Sequence, residues 1–260
     1  MAQQPVGSRR LGAHGPLVSP LGFGAFKIGR NQKTKYGASY DLPDQPEVTA
    51  LLNGLLDSGI TYFDTAPAYG LSEERIGIAL SHRRKEFTLS TKVGETFENG
   101  ESTYDFSRAK IEASVQRSLQ RLKTDTLDLV FIHSPGDDLA ILNQTDAVPT
   151  LMRLRDSGAI KAIGLSGKSP AGALAAIEWA DAIMVEYHLQ DCSHQAAMTA
   201  AAAAGLGVVV KKGLSAGALP ADEAIRFVLA QPSVSTLIVG SLHLDHMQSN
   251  LAIARAAIQV

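Results

Sequence analysis

Short runs of β-branched and other apolar residues recur along the chain, each bounded by glycine, proline or polar residues. They are VSPLGFGAF from Val18, TYFD from Thr61, FTLSTK from Phe87, LDLVFIH from Leu127, IKAIGLS from Ile160, AIMVEY from Ala182, VVVKK from Val208 and TLIVG from Thr236. Near-continuous apolar character over so few residues predicts strands buried on both faces. Between them the spacing changes to that of helices. Ile111, Val115, Leu119 and Leu122 fall four, four and three apart, which puts them on one helix face with charged residues opposite. Asp44 with Glu47 three residues on, and Pro46 in the first turn, predicts a capping box opening a helix that Gly59 closes. Ser72 is placed to cap the next helix, and later helices are expected over 144–157, 169–179, 193–204, 221–230 and 244–257.

Strands and helices that alternate strictly in this way predict an α/β protein, a single (β/α)8 TIM barrel over residues 1–260. An open doubly wound sheet would need G-x-G-x-x-G after the first strand, and Gly22, Gly24 and Gly29 miss that spacing. The segment before Val18, with Gly12 and Gly15 spaced for a turn, is expected to form a short N-terminal hairpin that closes the barrel floor.

Composition narrows the function. In 260 residues, 24 Lys and Arg face 26 Asp and Glu, a formal charge of −2, so no pool of positive charge awaits nucleic acid or a membrane surface. Small molecules are the expected partners, with no obligate protein partner. The single cysteine, Cys192, cannot form an intramolecular disulfide, the start MAQQPVGSRR lacks the apolar core of a signal peptide, and no apolar run nears the roughly 20 residues of a membrane helix. A cytoplasmic location is the expectation. Seven dispersed histidines and one cysteine show no ligand spacing, so no metal is expected.

In a β/α barrel, reactive groups sit where strands end. Asp64 ends the second strand in YFDTAPAYG, with Tyr69 five residues on; Lys92 ends the third in LSTKVG and His133 the fourth in LVFIHSP. Singly, each has an ordinary reading as a cap, a packing residue or a satisfied core group. Together they suit carbonyl protonation or alcohol deprotonation. A phenol of pKa about 10 donates a proton poorly at neutral pH unless a cation stabilises its phenolate. Lys92 is that cation, Asp64 keeps it charged, and a neutral His133 would hold a carbonyl oxygen.

At these residues the chain resembles the aldo-keto reductase superfamily, from about Ser8 to the end. GITYFDTAPAYGLSEERIGIAL from Gly59 is close to the signature around the family's catalytic Asp and Tyr, and SVQRSLQRLKTDTLDLVFIHSP from Ser114 matches a second signature. The resemblance implies Tyr69 as general acid/base, Lys92 and Asp64 as the pair that tunes it, and His133 as the carbonyl-orienting residue. It also implies a nicotinamide cofactor across the barrel mouth, NADP with NAD as the alternative, passing beside Gly24 and Asp64. Ser166 stands where the family holds the carboxamide, with Gly167 in place of the usual Asn. Met184 replaces a frequent Gln, and Lys211 stands where an aromatic ring usually stacks on the nicotinamide. Gly213, Leu214 and Ser215 resemble the pyrophosphate loop, and 240–250 the adenosine segment, where Gly240, Leu242, His246 and Asn250 are the candidates and no Arg or Lys is present.

Phe26 is expected to line the substrate pocket with Tyr69 and His133. Lys27, Lys33, Lys35, Tyr36 and Tyr40 belong to a loop placed to overhang it, and Trp179 is expected to be packing. Short loops after strands four and seven, and a chain that stops at Val260 soon after the last helix, predict an open mouth suited to small or polar aldehydes and sugars. The expected activity is NAD(P)-dependent interconversion of an aldehyde or ketone with its alcohol. The alternative is an NAD-preferring aldose or small-alcohol dehydrogenase working oxidatively. Two rivals are a Schiff-base barrel aldolase using Lys92 or Lys211, with Tyr69 as proton shuttle, and a cofactor-binding regulatory subunit.

Overall fold

The computed structural model describes residues 7–33 and 40–258; Lys35 and Tyr36 of the strand-one loop lie outside them. Eight strands close into a barrel. In order around it they are β3 (Leu21–Gly24), β4 (Tyr62–Asp64), β5 (Thr88–Val93), β8 (Leu127–His133), β9 (Ile160–Ser166), β10 (Ala182–Glu186), β11 (Gly207–Lys211) and β12 (Thr236–Val239), which pairs back with β3. Every barrel pairing is parallel. All eight predicted strands are therefore present in the predicted barrel.

Side-chain alternation along the strands divides the apolar residues into two layers. Tyr62, Leu129, Phe131, Ala182, Met184 and Val209 fill the barrel interior, while their neighbours Phe63, Val130, Ile132, Ile183, Val185, Val208 and Val210 pack outward with the helices. The inward positions at the carboxyl ends are polar: Asp64, Lys92, His133, Ser166 and Lys211 continue the inward parity of their strands. At the opposite end, β1 (Arg9–Arg10) and β2 (Leu17–Val18) form the expected hairpin. Leu11 from its turn joins the interior cluster, and the Ala13 N–H donates to the Gly205 carbonyl at 2.8 Å. The floor is thereby plugged.

The helix α1 (Gln45–Asp57) opens on the predicted capping box, with Glu47 N–H donating to Asp44 Oδ1 and Asp44 N–H to Glu47 Oε2, both at 2.8 Å. Ser72, expected to be a cap, is instead the first residue of α2 (Ser72–Leu80). Its hydroxyl is turned inward to the Ala25 carbonyl at 2.9 Å and to Thr65 Oγ1 at 2.8 Å. α3 (Arg108–Leu122) buries Ile111, Val115 and Leu122 as predicted. The helix expected over 144–157 is α5 (Ala147–Asp156), which starts three residues later, and a separate helix that was not expected, α4 (Asp138–Gln144), precedes it. Pro149 gives the reason: its ring would strike the carbonyl four residues back, at Thr145, and it has no N–H to offer there. α6 (Pro170–Ala175), α7 (Gln195–Ala203), α8 (Ala221–Leu229) and α9 (Leu244–Ala257) occupy the remaining predicted spans, and Trp179 packs against the core.

A hairpin was not anticipated either. Directly after β5, the strands β6 (Glu95–Glu98) and β7 (Glu101–Tyr104) form an antiparallel hairpin at the carboxyl end of the barrel. Its turn is Asn99-Gly100, both with positive φ (51° and 80°), the conformation a two-residue hairpin turn requires.

The turn that carries Tyr69 is fixed by close backbone approach. A Cβ on Gly29 would lie 2.1 Å from the Tyr69 carbonyl and 2.3 Å from the Ser72 nitrogen, and the Leu71 N–H donates to the Gly29 carbonyl at 3.1 Å. Only a glycine admits this contact. Gly29→Ala is expected to destabilise the chain by about 1–3 kcal/mol, the usual penalty of overpacking, read as a lowered urea midpoint with unchanged slope; an unchanged midpoint would show that the two segments are not in contact.

Candidate active site

The strand ends bring Asp64, Lys92 and His133 together under Tyr69. Lys92 Nζ lies 2.7 Å from Asp64 Oδ2 and donates to the Thr65 carbonyl at 2.8 Å, and the Ser90 hydroxyl donates to Asp64 Oδ1 at 2.7 Å. Both charged side chains are nearly inaccessible, at 2% and 5% exposure. An ammonium so buried stays charged only beside an anion. Burial pulls the Lys92 pKa down, but Asp64 and Tyr69 outweigh it and leave the value above the ordinary one.

Tyr69 sits on a short 3-10 turn, Pro67–Tyr69, with its ring 4.7 Å from Lys92 Nζ, 6.1 Å from the His133 ring and 5.1 Å from the Phe26 ring. The tetrad named from the sequence is thus one cluster, with Phe26 beside it. Its electrostatics differ from the expectation in one respect. Burial raises the Tyr69 pKa by more than the Lys92 charge lowers it, so the phenol is protonated at neutral pH.

The new hairpin contributes a fifth residue, Glu95, which the sequence reading missed. Its Oε2 lies 2.7 Å from His133 Nδ1, and its Oε1 accepts from the Ser102 hydroxyl at 2.7 Å. Burial pushes Glu95 up, but His133, Ser102 and the Arg30 guanidinium more than offset this and hold it at about 2. Burial pulls His133 down, Glu95 opposes, and the charges of Lys92 and Lys211 push it further down, leaving a neutral imidazole beside an ionised carboxylate. The Asn-Gly pair at Asn99 and Gly100 between two polar runs was the available signal for the hairpin, and so for Glu95.

On the other side of the mouth, Lys211 donates to Ser166 Oγ and to the Gly167 carbonyl, both at 2.9 Å, and Ser166 Oγ donates to Met184 Sδ at 3.4 Å. Met184 itself is buried in the barrel interior beneath them. Gly167 has a local cause: a Cβ there would meet Asp138 Oδ2 at 2.9 Å, and that oxygen already accepts from Lys168 N–H, Ser169 N–H and the Ser169 hydroxyl. Gly24 lies in register with Asp64, where a Cβ would press on Ile238 at 2.7 Å.

Past β11, the N–H groups of Gly213 and Leu214 have no backbone partner among the described residues, and Lys212, Ser215, Ala216 and Gly217 all have positive φ. Past β12, Gly240 and Leu242 lead into α9, whose N-terminus carries no side-chain cap. Such amides and an uncapped helix end suit the phosphates of a dinucleotide. His246 is exposed on the first turns of α9, its ring 4.9 Å from that of His243, and Asn250 follows one turn on. Asp245 puts a negative charge in the same turn.

Two other features are separate from this cluster. Glu186, His188 and Asp191 place ligand atoms within 4.8 Å of one another. His188 Nδ1 accepts the Gln190 N–H at 3.2 Å, so its remaining proton is on Nε2, 3.5 Å from Glu186 Oε1, and Lys212 already pairs with Glu186. A metal at this group would have to displace these contacts. A groove of about 980 Å³ lies at the amino end of the barrel, away from the cluster, and its Arg84 and Lys161 are paired with Asp128. No helix among the described residues is long and apolar enough to cross a membrane.

The sequence model of the Aldo/keto reductase family matches residues 20–223. The chain belongs to the aldo/keto reductase family. It is 33% identical over 192 residues to D-threo-aldose 1-dehydrogenase of a Pseudomonas species, an alignment covering 65% of this chain and 56% of that protein. It is 31% identical over 166 residues to L-galactose dehydrogenase of Arabidopsis thaliana, covering 61% and 48%. The chain thus matches about half the length of these two relatives. A protein of Pseudomonas aeruginosa assigned to the aldo-keto reductases has the same fold, with a TM-score of 0.90, 41% identity and 98% of each chain covered.

Lys211 generates a prediction about stability. Burial lowers its pKa to about 7, helped by the charges of Lys212 and Lys92 and opposed by Glu186 and Asp138. An unfolded chain holds this proton to about 10.5, so between 7 and 10.5 the unfolded state binds more protons and stability rises with pH. Lys211→Met should raise the urea midpoint at pH 6 and flatten its rise between pH 7 and 10; a parallel rise in both proteins would refute the assignment.

Proposed function

We propose that the protein is an NAD(P)-dependent oxidoreductase that interconverts an aldehyde or ketone with its alcohol, with Tyr69 as the general acid/base. The observation that carries this reading is the buried Lys92–Asp64 pair directly beneath the Tyr69 ring. A bound nicotinamide supplies the hydride in reduction and takes it in oxidation. Tyr69, protonated at neutral pH, gives its proton to the reacting oxygen as a carbonyl is reduced, and Lys92 stabilises the phenolate that forms. Asp64 and the Thr65 carbonyl hold Lys92 in place throughout. His133 and Phe26 flank the same point and orient the substrate.

The residues present fit a dinucleotide at its phosphates, through the amides of Gly213 and Leu214 and the end of α9. At the nicotinamide end, Ser166 is already engaged by Lys211, which must yield or share it. The relatives' names support sugars or sugar-like alcohols as substrates, in agreement with a mouth lined by Glu95, His133, Arg30 and Lys211. A second reading draws on Lys211, whose pKa near 7 would let it attack a carbonyl as a free amine. Borohydride reduction in the presence of a small aldose would then leave a mass adduct on Lys211; the oxidoreductase reading expects none.

Fluorescence titration with NADH and NADPH, followed by turnover on small aldehydes and aldoses, tests the main reading. Tyr69→Phe should lower turnover at least about a hundredfold while nicotinamide affinity stays within about twofold; retained turnover would overturn the role given to Tyr69. Asp245 opposes a 2′-phosphate, so Asp245→Arg should raise affinity for NADPH relative to NADH about tenfold. No change in that ratio would place the 2′-phosphate elsewhere.

A further inference from the structure

The hairpin of β6 and β7 adds little to the core: β7 and Glu98 are exposed, and Glu95, Thr96 and Phe97 are only partly covered. Phe97 meets the barrel mouth through Arg30, whose guanidinium carbon is 3.2 Å from the centre of the Phe97 ring. A separation this short is possible only with the cation on the face of the ring, where an aromatic side chain attracts it. The edges of the same guanidinium are fixed as well. Nε donates to the Gln32 carbonyl at 3.0 Å, and Nη1 donates to the Ala68 carbonyl at 3.1 Å. The Arg30 backbone is held too, its N–H donating to the Phe26 carbonyl at 3.0 Å and its carbonyl accepting from the Tyr40 hydroxyl. Only an arginine combines a permanent charge with a flat face and in-plane donors; a lysine would keep the charge and lose the plane.

Ala68 directly precedes Tyr69. The peptide unit between them is therefore held at both ends: its carbonyl by Arg30, and its N–H, which belongs to Tyr69, by the Ala66 carbonyl at 3.0 Å. A peptide unit is planar, so gripping both ends fixes the direction in which the Tyr69 side chain leaves the backbone. Further out, the ring packs at a steep angle against Phe26, with 5.1 Å between ring centres, and has Lys92 Nζ 4.7 Å from its centre. The phenolic oxygen stands at the far end of this lever, so a small rotation of the peptide unit carries it a long way. A displacement of about 1 Å at a reacting group costs up to about a hundredfold in rate.

We propose that Arg30, clamped on its face by Phe97, is a positioning residue that aims the Tyr69 hydroxyl, and that this clamp is what the hairpin of β6 and β7 contributes to the reaction. The proposal rests on the oxidoreductase reading, in which Tyr69 gives and takes the proton. Arg30 acts through the Ala68 carbonyl, and Phe97 acts only through Arg30; neither side chain takes part in the chemistry itself. This order of dependence has a signature. Turnover should fall while affinities hold, and Phe97 should matter only while Arg30 is present.

Two readouts on the full-length protein test it. In turnover of a small aldehyde, Arg30→Ala should lower kcat at least about thirtyfold, with aldehyde KM and nicotinamide affinity within about twofold of wild type. Phe97→Ala should lower kcat at least about fivefold, and Phe97→Tyr, which keeps the ring face, should recover most of that loss. Arg30→Ala combined with Phe97→Ala should match Arg30→Ala alone within about twofold. The second readout needs no turnover. In protein labelled with 3-fluorotyrosine, the Tyr69 19F signal, assigned by its loss in Tyr69→Phe, should shift or broaden in Arg30→Ala and in Phe97→Ala. Where Arg30→Ala does not fold, Arg30→Lys carries the same expectations. An unchanged kcat or an unmoved Tyr69 signal in the folded Arg30 variant overturns the proposal, as does a loss confined to KM or losses that multiply in the double variant. A wild type that binds no nicotinamide and turns over no carbonyl would sink the oxidoreductase reading, and the fluorine spectrum would then decide by itself whether Arg30 and Phe97 hold Tyr69.

Discussion

A charged lysine inside a barrel has to be compensated where it stands, and the Lys92–Asp64 pair meets that demand with a geometry that fixes the neighbouring elements. The carboxylate must come from the adjacent strand end, the Thr65 carbonyl must turn inward, and Ser90 must occupy the other carboxylate oxygen. Removing either charge would leave the other unpaired in a dry interior, a loss of about 3–5 kcal/mol in comparable cases. The pair is thus a structural commitment of the second and third barrel strands as well as a chemical device. Tyr69 lies over it because Gly29 and Gly70 hold the intervening turn against the first strand's loop.

The barrel was legible because parallel strands buried on both sides read as apolar runs, and inward parity placed the polar residue at the end of each run in the mouth. Asp64, Lys92, His133, Ser166 and Lys211 all follow from that rule. What escaped the pattern lay where no apolar period exists. The hairpin of β6 and β7 carries only Phe97 and Tyr104 among polar residues, too few to mark a strand or helix period, and only Asn99-Gly100 announces a turn. Glu95 was lost with it. The helix α4 was missed because its apolar stretch is short, Leu139 to Leu142, and the polar run 143–146 with Pro149 beyond it keeps it apart from α5. Ser72 had a capping residue's chemistry but faces the barrel, where Thr65 and the Ala25 carbonyl claim its hydroxyl.

The mouth concentrates cations. Lys92 and Lys211 lower the proton affinity of His133, Lys92 and Lys212 lower that of Lys211, and Asp64 and Glu95 stand beside Lys92 and His133. Among the described residues Lys211 has no carboxylate in direct contact and donates to a hydroxyl and a carbonyl. Electrostatically, then, the side near Tyr69 is balanced and the side near Ser166 carries surplus positive potential. A reduced, uncharged nicotinamide ring is better tolerated beside that surplus than an oxidised, cationic one.

Gly167 shows how a loop outside the mouth limits what the mouth can carry. The space a side chain would need there is taken by the Asp138 carboxylate, which is itself anchored by three donors from the following loop. An asparagine at this position would require the Asp138 carboxylate to shift, and with it the three donors that open α6. The residue tolerated at 167 thus depends on where the Asp138 carboxylate is held.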